Sequence, residues 1–303
     1  MTKILIVCSK NSGKIAPFIL DQAESLKAQN IDIEYFTIEN KGISGYLKSL
    51  KGLLQKIRKF QPNIIHAHYG LSGLLANLQQ KVPVVTTYHG SDINNPKVLK
   101  FSKIAIFLSK FNIFVSQKNI VLAKPKKNFA LIPCGVDTQV FKPLNKDECR
   151  EKTGLKKNEK LILFSSSFDN QVKNPALAKL AVSLLKDVQL LELKGYNRLQ
   201  VSELMNAVDC VLLTSFSEGS PQFIKEAMLC NCPIVSVDVG DVREVINGTE
   251  NCFICENSAE KIAEKLQIIL EKTERTNGRE KILNLDIQVV AKRIIEIYGK
   301  IIH

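Results

Sequence analysis

Short continuous apolar runs alternate along this chain with longer segments of helical spacing. Lys3-Ile-Leu-Ile-Val-Cys8 is the first run, and its lack of polar alternation suits a strand buried on both faces of a parallel sheet. A helix is predicted over 16–29 and a strand over Ile31–Phe36. Ile43, Leu47, Leu50, Leu53, Leu54 and Ile57 recur at helical spacing and predict one helix over 43–60. Pro62-Asn-Ile-Ile-His66-Ala-His68 and Val82–Tyr88 read as strands running into polar loops, and residues 104–116 and 130–137 complete the half. The polar stretch Lys142–Asn158 carries a short helix and reads as the linker. Leu161–Phe164 then starts a second sheet. It is followed by a helix over 175–186, strand Val188–Leu193, helix Val201–Ala207, strands at Asp209–Thr214 and Asn231–Asp238, and a helix over 259–273. The last segment, 287–303, is amphipathic through Val289, Val290, Ile294, Ile295, Ile297 and Tyr298. Strands alternating with helices predict an α/β protein with parallel sheets.

The length of 303 residues allows two domains, and 45% hydrophobic with 24% charged residues is a globular composition. No apolar run reaches the roughly 18 residues that span a bilayer. The start reads as a first strand and not as a signal peptide, and eight cysteines then point to free thiols in a reducing cytoplasm.

Charge divides the chain. Residues 1–143 hold 20 Lys+Arg against 7 Asp+Glu, or +13; residues 144–303 hold 22 against 23, or −1, for the total of +12. A basic first half implies an anionic partner: a membrane surface, a phosphorylated substrate or nucleic acid. Lys48, Lys51, Lys56, Arg58 and Lys59 accompany the apolar stripe of 43–60, which reads as a core-facing helix with a solvated basic face or as a helix lying on anionic lipid. Lys124, Lys126 and Lys127 form a second basic cluster.

The most informative stretch is Ser215-Phe-Ser-Glu218-Gly219-Ser220-Pro221-Gln222-Phe-Ile-Lys-Glu226, set between two strands. Gly219 admits a close approach of ligand to backbone. Ser220 is expected as the N-cap of a helix and Pro221 at its first position. The free amides after Ser220 would then favour an anion such as a phosphate. Glu218 in the turn and Glu226 in the helix would accept hydrogen bonds from hydroxyls, which suits a polyhydroxylated phosphate ester. Cap and turn signals of this kind also occur in ordinary helix starts.

Other candidates carry weaker signals. His66-Ala-His68 has metal-ligand spacing but no obvious third ligand. Cys230-Asn-Cys232 and Cys252-Phe-Ile-Cys255 can be drawn as a zinc site, against which Cys232-Pro233 enters an apolar strand. Neither is taken as a metal centre. Ser9–Lys14 is a strand-end loop without the glycine and lysine spacing of a P-loop.

Glu218-Gly-Ser-Pro and Glu226-Ala-Met, with seven residues between the glutamates, resemble the signature of family-four glycosyltransferases of the GT-B fold. His89-Gly90-Ser91-Asp92 and Ile132-Pro-Cys-Gly-Val-Asp137 are similar to further family segments, with Cys134 in place of an asparagine. The resemblance implies two Rossmann-like domains facing across a cleft: a basic acceptor-binding domain over 1–143 and a nucleotide-sugar domain over 144–286. The terminal helix, 287–303, would cross back to the first domain. It implies retaining transfer of a sugar from a nucleotide sugar to an acceptor hydroxyl, with no obligatory metal or other cofactor. By the same resemblance Lys173 matches a lysine on the donor diphosphate, Glu226 would hold the ribose, Glu218 the sugar hydroxyls, and His89 would sit near the reacting sugar. Gly240 is similar to the family's glycine loop near the donor. Ser167 stands where the family has a phosphate-binding arginine, and Arg198 is a candidate substitute.

The charge and the resemblance together give a peripheral enzyme of surface-polysaccharide assembly. It would work at the inner membrane face on a lipid-linked or oligosaccharide acceptor, with no nucleic acid expected. The alternatives are a non-catalytic basic module that binds anionic membrane or nucleic acid, and a GT-B phosphorylase or sugar-nucleotide epimerase.

Overall fold

A computed structural model of the chain divides into two compact units. Unit 1 comprises Met1–Gly135 and Ile287–His303; unit 2 comprises Val136–Asp286. The structure describes residues 1–10, 13–40 and 42–302, and only the backbone of Ile43 and Ser44. Asn11 and Ser12 of the first strand-end loop, the Ile43 side chain of the expected helical stripe, and His303 lie outside the described residues.

Unit 1 runs β1 (Lys3–Ser9), α1 (Pro17–Lys27), β2 (Asp32–Ile38), α2 (Gly42–Lys48), α3 (Leu50–Phe60), β3 (Ile64–His68), α4 (Gly70–Asn77), β4 (Val84–Tyr88), α5 (Ser91–Asn94), α6 (Pro96–Leu108), β5 (Phe111–Phe114), α7 (Gln117–Ala123) and β6 (Phe129–Leu131). Its strands form a parallel sheet of order β2-β1-β3-β4-β5-β6. Successive side chains of a strand point to opposite faces, and the two cores follow that rule. Ile4, Ile6 and Cys8 pack with Ile19, Ala23 and Leu26 of α1, whereas Leu5 and Val7 pack with Leu53, Ile57 and Phe60 of α3. The apolar stripe of α3 therefore faces the core.

The single helix expected over 43–60 is two. Ser49 lies between them and its hydroxyl donates to the Gly45 carbonyl at 3.1 Å, a local bond that competes with helical continuation. The buried stripe resets there: Tyr46 is buried and Leu47 is exposed.

Unit 2 runs α8 (Lys146–Thr153), β7 (Lys160–Phe164), α9 (Pro175–Ser183), β8 (Val188–Leu191), α10 (Arg198–Ala207), β9 (Cys210–Leu213), α11 (Gln222–Leu229), β10 (Ile234–Val237), α12 (Val242–Ile246), β11 (Cys252–Cys255), α13 (Ala259–Lys272) and α14 (Gly278–Ile282). Its parallel sheet has the order β11-β10-β9-β7-β8. Leu161, Leu163, Val211 and Leu213 face one core, and Ile162, Phe164, Cys210 and Leu212 the other. Unit 2 begins at Val136, ahead of the 142–158 stretch read as a linker, because Val136 and Phe141 already belong to its core.

The last helix, α15 (Ile287–Ile302), belongs to unit 1. Val290, Ala291, Ile294, Ile297 and Tyr298 pack into the core that holds Ile4 and Ile6. Gly135 passes so close that a Cβ there would lie 2.8 Å from Cα of Ile287. Tyr298 also takes part in one of the polar contacts that organise unit 1's strand ends, described below.

In open α/β sheets ligands bind outside the carboxyl ends of the strands, where strand order reverses. That point lies between β1 and β3 in unit 1 and between β7 and β9 in unit 2. His68 ends β3, and the loops after β7 and β9 carry Lys173 and Glu218.

Candidate active site

In unit 2 the two switch-point loops are tied together. Lys173 ends a short 3-10 turn, Gln171–Lys173, after β7, and its Nζ lies 2.5 Å from the Glu218 carboxylate of the β9–α11 turn. The Ser215 hydroxyl donates to the same carboxylate at 2.7 Å. Thr214 Oγ1 donates to the carbonyls of Lys173 and Asn174 at 3.0 and 2.9 Å, and the Phe216 amide donates to the Val172 carbonyl at 3.0 Å. A cation, a carboxylate and the start of α11 thus meet at one strand edge.

Helix α11 begins at Gln222 with Pro221 at the N-cap position, without a side-chain cap. This corrects the expectation of Ser220 as N-cap and Pro221 as first helical residue. The physical reason is that the Ser220 hydroxyl is engaged elsewhere. It donates to Asp241 Oδ2 at 2.5 Å and accepts from Lys225 Nζ. Ser220 does not cap the first turn of α11, where the Ile224 amide turns back to the Pro221 carbonyl at 3.3 Å. Glu226 is half-buried within the helix.

Lys225 is a residue that the sequence reading missed. It is 0% exposed, and its ammonium sits 3.8 Å from Asp241 Oδ2 with Ser220 Oγ between the two. A lysine on a helix normally reads as surface; here it staples the Glu218–Pro221 turn to the loop after β10. Burial pushes the Asp241 carboxyl above its ordinary range, opposed by Lys225 and Ser220. Gly240, at φ +56°, packs directly on that turn: a Cβ there would lie 2.6 Å from the Gly219 carbonyl oxygen. Its glycine requirement is met by the chain's own backbone.

The loop after β7 shows what stands where the arginine was expected. Ser167 donates to Asp169, and Asp169 in turn pairs with Lys194 at 2.9 Å. Lys194 belongs to the neighbouring loop after β8, on the turn with Gly195 at φ +81°. Arg198 instead lies over the Phe141 ring, 5.5 Å from its centroid.

In unit 1 the strand ends carry a chain of buried rings. His66 Nδ1 is 2.5 Å from Tyr298 OH and its Nε2 is 2.7 Å from Thr87 Oγ1. His66 stacks on His68, whose Nδ1 lies 3.0 Å from His89 Nε2, and His89 Nδ1 lies 3.6 Å from Cys134 Sγ. One of His68 and His89 must donate to the other, so their tautomers are locked together. Phe18 and Tyr69 also pack on His89, at ring-centroid distances of 4.7 and 4.8 Å.

Asp92, quoted in sequence only as the end of the His89–Asp92 segment and given no role of its own, pins this edge. Its carboxylate accepts from the amides of Gly70, His89 and Gly90 at 2.9, 3.1 and 3.0 Å. Burial outweighs those donors and raises its pKa to about 6. Tyr69, between His68 and Gly70, is held at φ 73°, ψ 149°, a region that costs a non-glycine residue about 1–3 kcal/mol. Strain of this kind at a strand-end crevice marks a site built for something other than stability.

His66 has both ring nitrogens occupied, and burial lowers its pKa to about 3. His68 is lowered well below its ordinary value by burial, then by the neighbouring histidines. The four cysteines once drawn as a zinc cage divide between the two faces of the unit 2 sheet: Cys230 and Cys232, with Cys252 packed on them, against Cys255. Among the described residues no three His, Cys, Asp or Glu side chains are grouped to hold a metal.

Lys173, Glu218, Gly219, Ser220, Pro221, Gln222, Glu226 and Gly240 thus all lie on unit 2, and His89 on unit 1. Two parallel-sheet α/β units with these strand-end sites are the architecture of GT-B glycosyltransferases. Residues 10–140 match the profile of Glycosyltransferase Family 4 and residues 156–272 that of Glycosyl transferases group 1, and the chain belongs to this family. It is 26% identical over 256 residues to TuaC of Bacillus subtilis, a protein assigned to teichuronic acid biosynthesis as a glycosyltransferase; the match covers 74% of this chain and 64% of TuaC. The chain thus spans less than two thirds of that relative's length. It is 22% identical over 300 residues to the Escherichia coli UDP-Gal:alpha-D-GlcNAc-diphosphoundecaprenol alpha-1,3-galactosyltransferase, covering 84% of this chain and 76% of that one. The structure of Anabaena HepE in complex with UDP and glucose superposes with a TM-score of 0.77 at 19% identity, over 99% of this chain and 100% of that one.

Two predictions follow from the buried groups. Asp241→Ala removes the Asp241 carboxylate from beside the enclosed Lys225 ammonium and is expected to cost about 3–5 kcal/mol in urea unfolding, most of it recovered by adding Lys225→Met. A loss under 1 kcal/mol would show that the pair holds nothing together. The histidines give a pH dependence. Their folded pKa values lie below the unfolded value of about 6.5, so the unfolded chain binds protons that folded His66 and His68 refuse. The histidines' contribution is full above pH 6.5 and falls as pH drops toward 3, by up to about 1.4 kcal/mol per pH unit for each, opposed by the carboxyl of Asp92, whose raised pKa favours the folded state as pH drops through about 6. Denaturation at pH 7 and pH 5 measures this, and equal stabilities would contradict it.

Proposed function

We propose that the protein is a retaining glycosyltransferase that moves a sugar from a nucleotide-diphosphate sugar to a hydroxyl of a lipid-linked saccharide during cell-surface polysaccharide synthesis. The observation that carries this reading is the Lys173–Glu218 pair at the switch point of unit 2, beside the N-terminus of α11. A diphosphate needs fixed positive charge where its own charge develops as the sugar leaves. Lys173 and the amino end of α11 supply it, with Lys194, on the loop after β8 and paired with Asp169, as a second cation nearby in the chain's strand-end loops. In this reading the incoming phosphate competes with Glu218 for Lys173 and releases the Glu218 carboxylate to the sugar hydroxyls. Glu226, within α11, takes the ribose. Gly219 and Gln222 present backbone to the donor, while Gly240 shapes the turn that carries them.

His89 is the group that unit 1 brings to the reacting sugar. The rings of Phe18 and Tyr69 and the lock to His68 hold its ring orientation, and Asp92 holds the loop it stands on. The chemistry assigned to these side chains is orientation and charge stabilisation, with the leaving phosphate taking the acceptor proton. No metal is assigned a role.

The relatives motivate the acceptor and the setting. One is named for teichuronic acid biosynthesis and another for transfer to a diphosphoundecaprenol-linked sugar. Together with the +13 charge of residues 1–143, they favour work at the cytoplasmic face of an anionic membrane. No helix among the described residues is long and apolar enough to cross one.

The test is thermal stabilisation by a panel of nucleoside diphosphates and nucleotide sugars. A ligand present at 100 times its Kd stabilises the folded state by about 2.7 kcal/mol. One nucleotide class is expected to raise the melting temperature, with the shift lost in Glu226→Ala. Lys173→Ala removes a charge-assisted contact of about 1.5–3 kcal/mol and is expected to weaken binding by about 10- to 150-fold. No shift with any nucleotide would overturn the donor assignment.

A further inference from the structure

The amino end of the unit 1 sheet, opposite the edge that carries His89, holds a second feature. A cavity of about 320 Å³ lies among the C-terminal turn of α6, the end of α7 and the start of β6. Ile106, Phe107, Ala123 and Pro125 give it apolar walls, and Lys103, Lys124, Lys126 and Lys127 stand around it. Ser109 and Asn128, also in its lining, stand two residues and one residue before β5 and β6, whereas His89 and Cys134 follow β4 and β6. The strands between are parallel, so the cavity and His89 lie at opposite ends of one sheet, about 13 Å of strand apart. The cavity is therefore separate from the candidate active site.

Two properties define what it fits. The first is charge. Residues 93–136 contain eight lysines and no Asp or Glu. Among the described residues the four lysines of the cavity make no ion pair. The second is apolar exposure. Phe107 is 86% exposed at the cavity wall, Ile104 and Leu108 accompany it on α6, and Val121, at 60% exposure, and Leu122 on α7. Ile104, Phe107 and Leu108 stand at i, i+3 and i+4 on one face of α6, and monomers rarely leave such side chains grouped without use. Lysines around an exposed aromatic and aliphatic surface match an interface where headgroups meet acyl chains. Nucleic acid would satisfy the lysines but not Val121, Leu122 and Leu108.

We propose that this face docks on an anionic phospholipid bilayer, with Phe107 entering the acyl region and a lipid phosphate held by Lys103, Lys124, Lys126 and Lys127. The proposal rests on the reading that the enzyme works at a membrane, and it assigns the contact to α6, α7 and β6. The basic face of α3 is not the anchor: its stripe is committed to the core, and its Lys56 is paired with Glu34.

The experiment is co-sedimentation of the full chain with phosphatidylglycerol-containing vesicles and with pure phosphatidylcholine vesicles. Wild type is compared with Phe107→Asp, with the triple change Lys124→Ser, Lys126→Ser and Lys127→Ser, and with a charge-matched control, Lys51→Ser, Arg58→Ser and Lys59→Ser. Melting temperatures confirm that each variant folds. A surface lysine near anionic lipid is worth about fivefold in binding, so the cavity triple is expected to lose on the order of a hundredfold. Phe107→Asp is expected to reduce binding at every salt concentration, and the α3 control to keep most of it. Equal losses in the two triples would overturn the assignment, as would no vesicle binding by wild type or preference for an RNA homopolymer over vesicles. Release of bound protein by inorganic phosphate at constant ionic strength would mean a soluble-anion site and would overturn the lipid assignment. Sugar transfer to a water-soluble acceptor separates the two readings: it persists in the cavity variants if the transferase reading holds, whatever the vesicles show.

Discussion

A buried ammonium holds the donor-side architecture together. Lys225 is enclosed beneath the Glu218–Pro221 turn and joins Ser220 to Asp241. Without it the turn would have no fixed relation to the loop after β10, and Gly240 would have no reason to press on Gly219. The position of Glu218 against Lys173 follows from that turn, and so does the uncapped start of α11. An isolated buried charge is expensive, and a hydrophobic residue of similar volume is often as stable or more so. The arrangement therefore spends stability on the geometry of one strand edge. That edge is the place in an α/β sheet where ligands bind.

Unit 1 reaches a comparable result by different means. Three backbone amides converge on Asp92, and the strained backbone of Tyr69 sets the rings of His68 and His89 against each other. The α15 helix contributes Tyr298 to His66, so the last residues of the chain help fix the strand ends of the first half. In both units a buried polar group positions the loops at the sheet's switch point, and the hydrophobic cores on either side supply the rigidity.

Much of the fold was legible because its cause is periodic. Continuous apolar runs gave the parallel strands, and the Glu218–Glu226 turn stood out through residues with strong local preferences. Four features were not legible, each for a physical reason. Lys225 and Asp92 carry charges, and a charged residue on a helix or loop reads as solvated until tertiary packing encloses it. Ser220 has the local preference of an N-cap, but the buried Lys225–Asp241 pair claims its hydroxyl. The break at Ser49 escaped because Leu47 and Leu50 continue the helical spacing across it while the buried face shifts to Tyr46. Residues 93–136 did show their lysines in sequence, yet the apolar wall of Phe107 became visible only when α6 and α7 were placed at one end of the sheet.

The central claim is sugar transfer with retention from a nucleotide-diphosphate donor. The most direct measurement incubates the protein with a panel of nucleotide sugars and a polyprenyl-diphosphate-linked N-acetylhexosamine acceptor. The anomeric configuration of the product is then read by NMR. The account predicts a lengthened saccharide whose new linkage has the same anomeric configuration as the donor. An inverted linkage, a free sugar 1-phosphate or an epimerised donor without transfer would contradict it.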